Sequence, residues 1–209
     1  MKKYLVLALA ASLMATPWSV LAKEVKTTDT AKSSQSCDKF ADTMTSHVVN
    51  IFHDKKQSEE EKKQSLSILF QEAVDTDWIG KFVLGRYWKT ASAEEKVEYL
   101  KNYRNYLTMV YISKFNDEAG LAVDAIKIVD IKPAAQPNQF EANTVIQRNG
   151  QPDVRVAYAL EQLPTKCQVH DIKVEGVSLL TSHRSEFAAL AGKSGVKGVI
   201  DAMKKQLEK

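Results

Sequence analysis

The amino-acid sequence predicts an α+β fold, with helices in the first part of the chain and strands in the second. Up to about Gly120, apolar residues recur every three or four positions, as they do on the buried face of a helix. From Val123 to Glu175 they recur every second position, which is typical of strands with one buried face. Helical and extended segments do not alternate, so βαβ units are not expected. We therefore predict N-terminal helices and two C-terminal helices packed on a mainly antiparallel sheet of four strands.

The beginning of the chain has the pattern of an export signal. Residues 1–22 combine two lysines, the apolar run Tyr4–Met14 and a small-residue site ending at Ala22, which is the order of a secretory signal peptide. Residues 23–36 are rich in Lys, Thr and Ser and lack apolar periodicity, so we expect a flexible leader there. Residues 37–209 then form a single domain, which should be exported and soluble.

Two helices are predicted in the first third of the domain. The first covers Cys37–His53, where apolar residues recur at three or four positions. The second begins with a capping box, in which the Ser58 hydroxyl accepts from the amide of Glu61 and the Glu61 carboxylate accepts in return. The apolar positions of this second helix are Leu66, Leu69, Phe70 and Val74.

Two further helices follow, joined by an aromatic elbow. The first, Trp78–Leu84, is predicted to stop at Gly85, because glycine commonly terminates helices. Residues 86–88 form the elbow, and a second capping box of Ser92 and Glu95 opens a long helix.

Apolar residues cover about half the circumference of this long helix, more than the stripe of about 100° that packing on one side requires. Two interpretations remain open. The helix is deeply buried in the core, or one side meets the core while the other lines a cavity and places tyrosine hydroxyls at a polar rim. The arc consists of Val97, Tyr99, Leu100, Tyr103, Tyr106, Leu107, Val110, Tyr111 and Phe115.

Four strands are predicted after residue 122. They are separated by prolines and by Asn149-Gly150, a pair that favours a tight antiparallel hairpin. The strands are Val123–Ile131, Gln139–Arg148, Val154–Glu161 and Cys167–Glu175, and the closing helices are Leu179–Ala191 and Val196–Leu207.

The composition gives little support to catalysis or nucleic-acid binding. A formal net charge of +3, part of which lies in the signal peptide, does not suggest a nucleic-acid partner. The four histidines lack metal-ligand spacing, and the glycines form no phosphate-binding motif. His170 and Asp171 would be the acid/base pair of a pocketed α+β enzyme, but neighbouring strand positions point to opposite faces. We therefore predict no catalytic residue, no metal site and no cofactor.

Cys37 and Cys167 are the two cysteines of a chain that is expected to reach an oxidising compartment. If they pair, the bridge joins the first helix to the last strand and contributes about 4–5 kcal/mol in the chain-entropy model. Two buried free thiols are the alternative. Neither cysteine has the C-x-x-C spacing of a redox motif.

Several motifs, in a fixed order, resemble one known family. VLGRYW within residues 82–88 precedes the helix opening and tyrosine-rich helix of residues 91–111. DIKVEGVSL at residues 171–179 precedes RSEF at 184–187 and the closing segment 195–207. Over nearly all of the exported chain, this order resembles the MlaC family, also called the toluene-tolerance auxiliary proteins.

The resemblance implies a soluble periplasmic carrier of phospholipid. Such a carrier moves lipid between an outer-membrane lipoprotein complex and an inner-membrane ABC transporter with a lipid-binding component, and so maintains outer-membrane lipid asymmetry. It also implies a fold in which a curved sheet and the helices enclose an apolar pocket, so residues 37–209 would form one lipid-binding domain. We expect this domain to be a monomer. The bound phospholipid is cargo rather than a cofactor. The alternatives are a carrier of an isoprenoid or hopanoid-like lipid, a pocketed enzyme, and a structural protein with a filled core.

We expect the long helix and the inner faces of the middle strands to line the pocket. Arg86 and Trp88 are expected at its rim, where a guanidinium and an indole N–H could meet a phosphate. The predicted ligand-binding residues are Val83, Leu84, Tyr87, Trp88, Leu107, Val110, Tyr111, Ile146, Val156, Tyr158, Val174 and Val177.

Overall fold

The protein is described by a computed structural model that covers residues 28–113 and 123–208, with side chains from Cys37 onward. The predicted signal peptide and residues 114–122 lie outside the described residues. The helices are α1 (Thr28–His53), α2 (Glu59–Ala73), α3 (Thr76–Leu84), α4 (Arg86–Thr90), α5 (Ala93–Ser113) and α6 (Leu179–Leu207). The strands are β1 (Val123–Pro133), β2 (Gln139–Arg148), β3 (Gln151–Gln162), β4 (Cys167–Val174) and β5 (Val177–Ser178).

The α+β prediction is confirmed, with one strand more than expected. The strands pair in the order β1-β2-β3-β4-β5, and every neighbouring pair is antiparallel. The fifth strand has only two residues, too few to show an alternating pattern in the sequence. Register shifts interrupt the first three pairings, and such bulges bend and twist strands. The result is a curved sheet whose outer strands do not meet each other.

Helix α1 begins earlier than the sequence predicts. It starts at Thr28, so residues 28–36, which belong to the predicted leader of residues 23–36, are helical. Residues 28–36 contain neither proline nor glycine, so nothing in them stops a helix that continues outward from Cys37.

Both predicted capping boxes form. At the start of α2 the Ser58 hydroxyl accepts from the amide of Glu61 at 3.3 Å, and the Glu61 carboxylate accepts from the Ser58 amide at 2.7 Å. Ser92 and Glu95 make the same pair of bonds before α5, at 3.1 and 2.9 Å. These local signals were therefore sufficient to place the two helix starts.

Glycines set the packing of α3. Gly85 ends this helix with φ of +57°, a region that favours glycine, and the chain turns at once into α4. The elbow predicted for residues 86–88 is thus a short helix of 5 residues. Gly80 faces α5, where a Cβ would lie 3.0 Å from the ring of Tyr103. Because no side chain intervenes, the two helices approach closely.

The two closing helices follow each other directly as one element, α6, which is kinked at Gly195. Helix α6 runs to Leu207, but Gly195 within it has φ of +67° and ψ of −175°. The two helices predicted from the sequence are therefore the two arms of α6. At its start the Asp171 carboxylate accepts from the Leu180 amide at 3.0 Å and from the Ser178 hydroxyl at 2.7 Å.

A closed core lies among α3, α5 and α6. Its largest fully buried side chains include Tyr99, Tyr103 and Leu107 of α5 and Ile200 of α6. The Tyr99 hydroxyl donates to the carbonyl of Gly80 at 3.0 Å, and its ring stacks on Tyr103. This core is closely packed, and its described residues enclose no ligand-sized cavity.

Two connections tie the first helices to β4. Cys37 of α1 forms a disulfide with Cys167, the first residue of β4, with Cα atoms 5.4 Å apart. Immediately after α2, Val74 makes a parallel bridge with Val169. No helix within residues 28–113 or 123–208 combines the length and hydropathy needed to cross a bilayer.

Candidate functional site

An apolar cavity of about 380 Å³ lies between the first two helices and the concave face of the sheet. This volume is within the range of ligand-binding pockets, roughly 300–1,000 Å³. The end of α5 and the start of α6 complete its wall. It is lined by Phe40, Ala41, Met44, Thr45, Val48, Leu66, Leu69, Phe70, Ala73, Val74, Tyr111, Ile112, Val123, Ile126, Ala142, Thr144, Ile146, Arg148, Val154, Val156, Tyr158, Leu160, Val169, Ile172, Val174 and Leu179.

The wall formed by the sheet follows the period of two. On β2 the inward positions are Ala142, Thr144, Ile146 and Arg148, and on β3 they are the even-numbered residues from Val154 to Leu160. Successive side chains of a strand point to opposite faces, so one face of each strand meets the cavity. The helices opposite contribute Phe40, Met44 and Val48 of α1 and Leu66, Leu69 and Phe70 of α2.

The cavity is closed at one end and more exposed at the other. Ala142, Leu160 and Val169, near the disulfide, are 1%, 2% and 6% exposed. At the opposite end of the same strands, the lining residues Arg148 and Val174 are only half-buried. We call this second end the mouth; it lies where β2 and β4 end and where β3 begins.

Few polar groups interrupt the lining. The Thr144 hydroxyl donates to the carbonyl of Val156 at 2.9 Å, so it is satisfied within the sheet. Burial raises the pKa of Tyr158 to about 12, against the opposing effect of a hydrogen bond with Thr144. Burial likewise raises the pKa of Tyr111 well above its usual value. Both phenols therefore stay neutral, and Arg148 is the one charged residue among the described lining residues.

Five of the twelve predicted ligand-binding residues lie in the cavity wall. They are Tyr111 on the last turn of α5, Ile146 on β2, Val156 and Tyr158 on β3, and Val174 on β4. Ile146, Val156 and Tyr158 belong to inner faces that the alternating pattern identified. The sequence pattern therefore identified lining residues mainly on the sheet.

Three predicted residues lie in the closed core instead. Val83, Leu84 and Leu107 are 0%, 1% and 2% exposed, and none lines the cavity. The long helix has a wide apolar arc because α3, α6 and α2 pack around it, so the core-helix interpretation describes most of its length. Only its end, at Tyr111 and Ile112, reaches the cavity.

The remaining four predicted residues also lie outside the lining. Tyr87 packs beside Gly192 of α6, and Trp88 lies between the ammonium groups of Lys81 and Lys96, 5.9 and 5.6 Å from its ring. Val110 is half-buried on α5. Val177 is 59% exposed on β5, beyond the mouth.

The guanidinium of Arg86, expected at the rim, donates to the Tyr87 hydroxyl at 2.7 Å and packs on that ring. Both residues belong to α4, which contacts α3 and α6 rather than the sheet. None of the residues of the aromatic elbow lines the cavity.

Sequence reasoning missed the helical half of the lining. Phe40, Met44, Leu69 and Phe70 stood out as periodic apolar positions, but such positions are the same whether a helix faces a core or a cavity. The pattern identified which side chains point inward. It contained no information about whether the interior is filled.

His170 and Asp171 do not form an acid/base pair. A register shift between β3 and β4 falls at His170, and both residues line a second, much smaller void. The Asp171 carboxylate is occupied by the cap of α6. The His170 ring stacks on Trp78, with centroids 4.3 Å apart. Within the described parts of the chain, no three His, Cys, Asp or Glu residues cluster as metal ligands would.

The fold and the cavity together define a class: an α+β protein in which helices and an open antiparallel sheet surround an apolar, ligand-sized interior. Comparison with known families assigns it further. Residues 20–205 match the MlaC protein family, and the chain belongs to that family.

A solved structure shares the fold. It is a phospholipid-binding protein from Ralstonia solanacearum, determined in complex with a phospholipid. The TM-score is 0.69 at 20% sequence identity, and the alignment covers 82% of this chain and 98% of the other. At this identity the likeness establishes the architecture.

Proposed function

We propose that this protein is a periplasmic phospholipid carrier that moves lipid between outer-membrane and inner-membrane complexes and so maintains outer-membrane lipid asymmetry. One observation carries the proposal: a cavity of about 380 Å³ whose described lining contains a single charged residue. Membership of the MlaC family and the phospholipid-bound relative of the same fold support it.

The energetics of lipid transfer require an enclosed site. Each buried CH₂ group contributes about 0.8 kcal/mol, so exposing two acyl chains of about fifteen methylenes to water would cost on the order of 24 kcal/mol. A surface patch cannot offset this cost. A cavity walled by valine, leucine and phenylalanine replaces the bilayer interior. The free energy of transferring the acyl chains from membrane to protein is therefore close to zero.

The chemistry of the site fits binding and transport rather than catalysis. The two phenols in the wall stay neutral at physiological pH, and the carboxylate of Asp171 caps a helix. The protein acts as a monomer in the periplasm, with phospholipid as cargo. Its macromolecular partners are an outer-membrane lipoprotein complex and an inner-membrane ABC transporter with a lipid-binding component.

The test is an unbiased lipid analysis. The purified exported chain is extracted with organic solvent before and after incubation with phospholipid vesicles, and the extracts are analysed by mass spectrometry. We expect about one phospholipid per protein. Protein without bound lipid after both treatments would refute the proposal, and recovery of an isoprenoid or hopanoid-like lipid alone would assign the cavity to that cargo instead.

The membrane complexes are tested separately. Protein loaded with fluorescent phospholipid is mixed with vesicles that contain either complex, and transfer is followed by the change in fluorescence. We expect transfer to be faster than to protein-free vesicles. Equal rates with and without the complexes would exclude the two partners while leaving lipid binding intact.

A further inference from the structure

The single cation of the cavity occupies a defined position in the fold. Arg148 is the last residue of β2 and the next inward position after Ala142, Thr144 and Ile146. The strand that supplies apolar side chains to the closed end therefore ends in a guanidinium group at the mouth. Arg148 is half-buried, so its charge is less screened by solvent than that of a fully exposed arginine.

The guanidinium is held in place by the backbone. Its Nε and Nη2 atoms donate to the carbonyl of Pro152 at 2.9 and 2.6 Å, across the β2–β3 hairpin. This pair of bonds fixes the plane of the group before any ligand arrives. A preorganised cation loses less conformational entropy on binding than a mobile one.

Arg148 keeps its charge uncompensated within residues 37–113 and 123–208. No carboxylate there forms an ion pair with it, and no hydrogen bond there involves its Nη1 atom. Arg155, on the next strand, differs in both respects. It pairs with Glu175 at 2.9 Å, and its side chain is 81% exposed. The two arginines are therefore chemically distinct although they are close in the sheet.

We infer that Arg148 binds the phosphate of a lipid head group at the mouth, and that it selects phosphate-bearing lipids over uncharged diacyl lipids. A guanidinium matches the geometry of phosphate oxygens and forms charge-assisted hydrogen bonds with them. The apolar wall supplies affinity for acyl chains without distinguishing between head groups. This inference rests on the proposed function and names the residue that gives it selectivity.

The experiment is a competition between two lipids with identical acyl chains. The protein is incubated with vesicles that contain phosphatidylglycerol and diacylglycerol in equal amounts, re-isolated, and its bound lipids are quantified by mass spectrometry. In the wild type we expect the ratio of bound phospholipid to bound diacylglycerol to be about tenfold higher than in the vesicles. This factor corresponds to the free energy of one charge-assisted hydrogen bond. Arg148→Gln should bring the ratio close to that of the vesicles, with diacylglycerol uptake unchanged.

Two further variants make the result specific. Arg155→Gln removes an arginine from the neighbouring strand and should keep the wild-type ratio. Arg148→Lys keeps the charge without the planar pair of donors and should give an intermediate ratio. Unchanged diacylglycerol uptake by Arg148→Gln would show that its cavity is intact. The lipid ratio bound by the wild type tests by itself whether the protein prefers phosphate-bearing lipids.

The outcomes separate the two claims. Equal uptake of both lipids by the wild type, or a wild-type ratio in Arg148→Gln, would overturn the role of Arg148 while leaving the carrier function intact. Uptake of neither lipid would overturn both.

Arg148 could also bind inorganic phosphate rather than the phosphate of a lipid head group. Calorimetric titration with inorganic phosphate distinguishes these two ligands. We expect no saturable binding below millimolar concentrations, because a lipid head group is held mainly through its acyl chains. Micromolar binding of inorganic phosphate that is lost in Arg148→Gln would assign the site to the free ion and overturn the lipid assignment.

Discussion

The imidazole of His170 stacks on the indole of Trp78, with the ring planes inclined by 12°. Its Nε2 atom is buried without a hydrogen-bond partner among the described residues, 3.6 Å from the Asp75 carboxylate. Burial lowers the pKa of His170, and the carboxylates of Asp75 and Glu161 oppose this effect without cancelling it. The folded protein therefore favours the neutral ring.

This preference predicts a pH dependence of stability. Because the pKa of His170 is lower in the folded state, the unfolded chain binds more protons near and below pH 6.5, the ordinary value for histidine. The contribution of His170 to stability is present above that pH and is lost as the pH falls. His170→Phe keeps an aromatic ring stacked on Trp78 but removes the titrating group. Between pH 7.5 and pH 5 its free energy of unfolding should therefore fall less than that of the wild type.

Urea unfolding at several pH values measures this difference. His47→Phe is the matched control, because His47 is an exposed histidine of α1 and its replacement leaves the stack intact. It should retain the wild-type pH dependence. Identical pH profiles for His170→Phe and the wild type would show that His170 does not titrate differently in the two states.

The disulfide predicts a second effect on stability. Cys37 and Cys167 are 130 residues apart, so the bond restricts the unfolded chain strongly. Replacing both with alanine should lower the free energy of unfolding by about 4–5 kcal/mol in the chain-entropy model. Urea unfolding with and without a reductant measures it. The reductant should destabilise the wild type and leave the double variant unchanged; sensitivity of the double variant to the reductant would contradict this account.

The elements of the fold were predictable where the signal is local. Ser58 and Ser92 carry their capping partners three residues away, and both helix starts were correct. Strand β5 and the helical part of the predicted leader were missed for a physical reason. A strand of two residues has no period, and residues 28–36 have no apolar periodicity that would mark the onset of α1.

Filling the closed end of the cavity should change the length of the bound chains. Ala142 is 1% exposed and lines the cavity opposite α1 and α2. Leucine at this position would occupy empty space, so we expect Ala142→Leu to bind shorter acyl chains. Its stability should rise by about 1–2 kcal/mol, because the added methylenes become buried. Mass spectrometry of extracted lipid and thermal unfolding provide the two measurements.

The same substitution in the filled core serves as the control. Ala191 of α6 is 3% exposed and does not line the cavity. Ala191→Leu should lower stability by about 1–3 kcal/mol through overpacking and leave the chain lengths unchanged. If Ala142→Leu is destabilised to the same extent, the cavity at Ala142 is not empty space.

Val177 allows the mouth to be tested without disturbing the fold. It pairs with the lining residue Val174 across β4 and β5, so the two side chains lie on the same face of the sheet. Val177 is 59% exposed, and Val177→Glu should therefore change stability by less than about 0.5 kcal/mol. We expect lipid loading to be lost, because the new carboxylate would be partly desolvated by the entering chains.

Val129→Glu is the matched control for this prediction. Val129 is an equally exposed valine of β1, at 63%, and does not line the cavity. Its variant should load lipid as the wild type does. Comparable loading by both variants, measured by mass spectrometry after incubation with vesicles, would mean that lipid does not enter past β5.

The site was predictable only in part. Residue patterns indicate which side chains point inward, but not whether the space they point into is filled by other side chains or empty. Ile146 and Val156 were identified from the alternation of β2 and β3, and both line the cavity. Leu107 has the same apolar periodicity on α5 as Phe40 has on α1, yet Leu107 is buried outside the cavity and Phe40 lines it. Only the long-range packing of whole elements distinguishes the two environments.

The two connections to β4 determine how the interior can change its width. The Cys37–Cys167 bond and the Val74–Val169 bridge meet β4 two positions apart, both at the base of the cavity. At the mouth, α1 and α2 face the sheet through apolar side chains. We therefore expect cargo of larger cross-section to be accommodated at the mouth, because the disulfide and the backbone bridge fix the base.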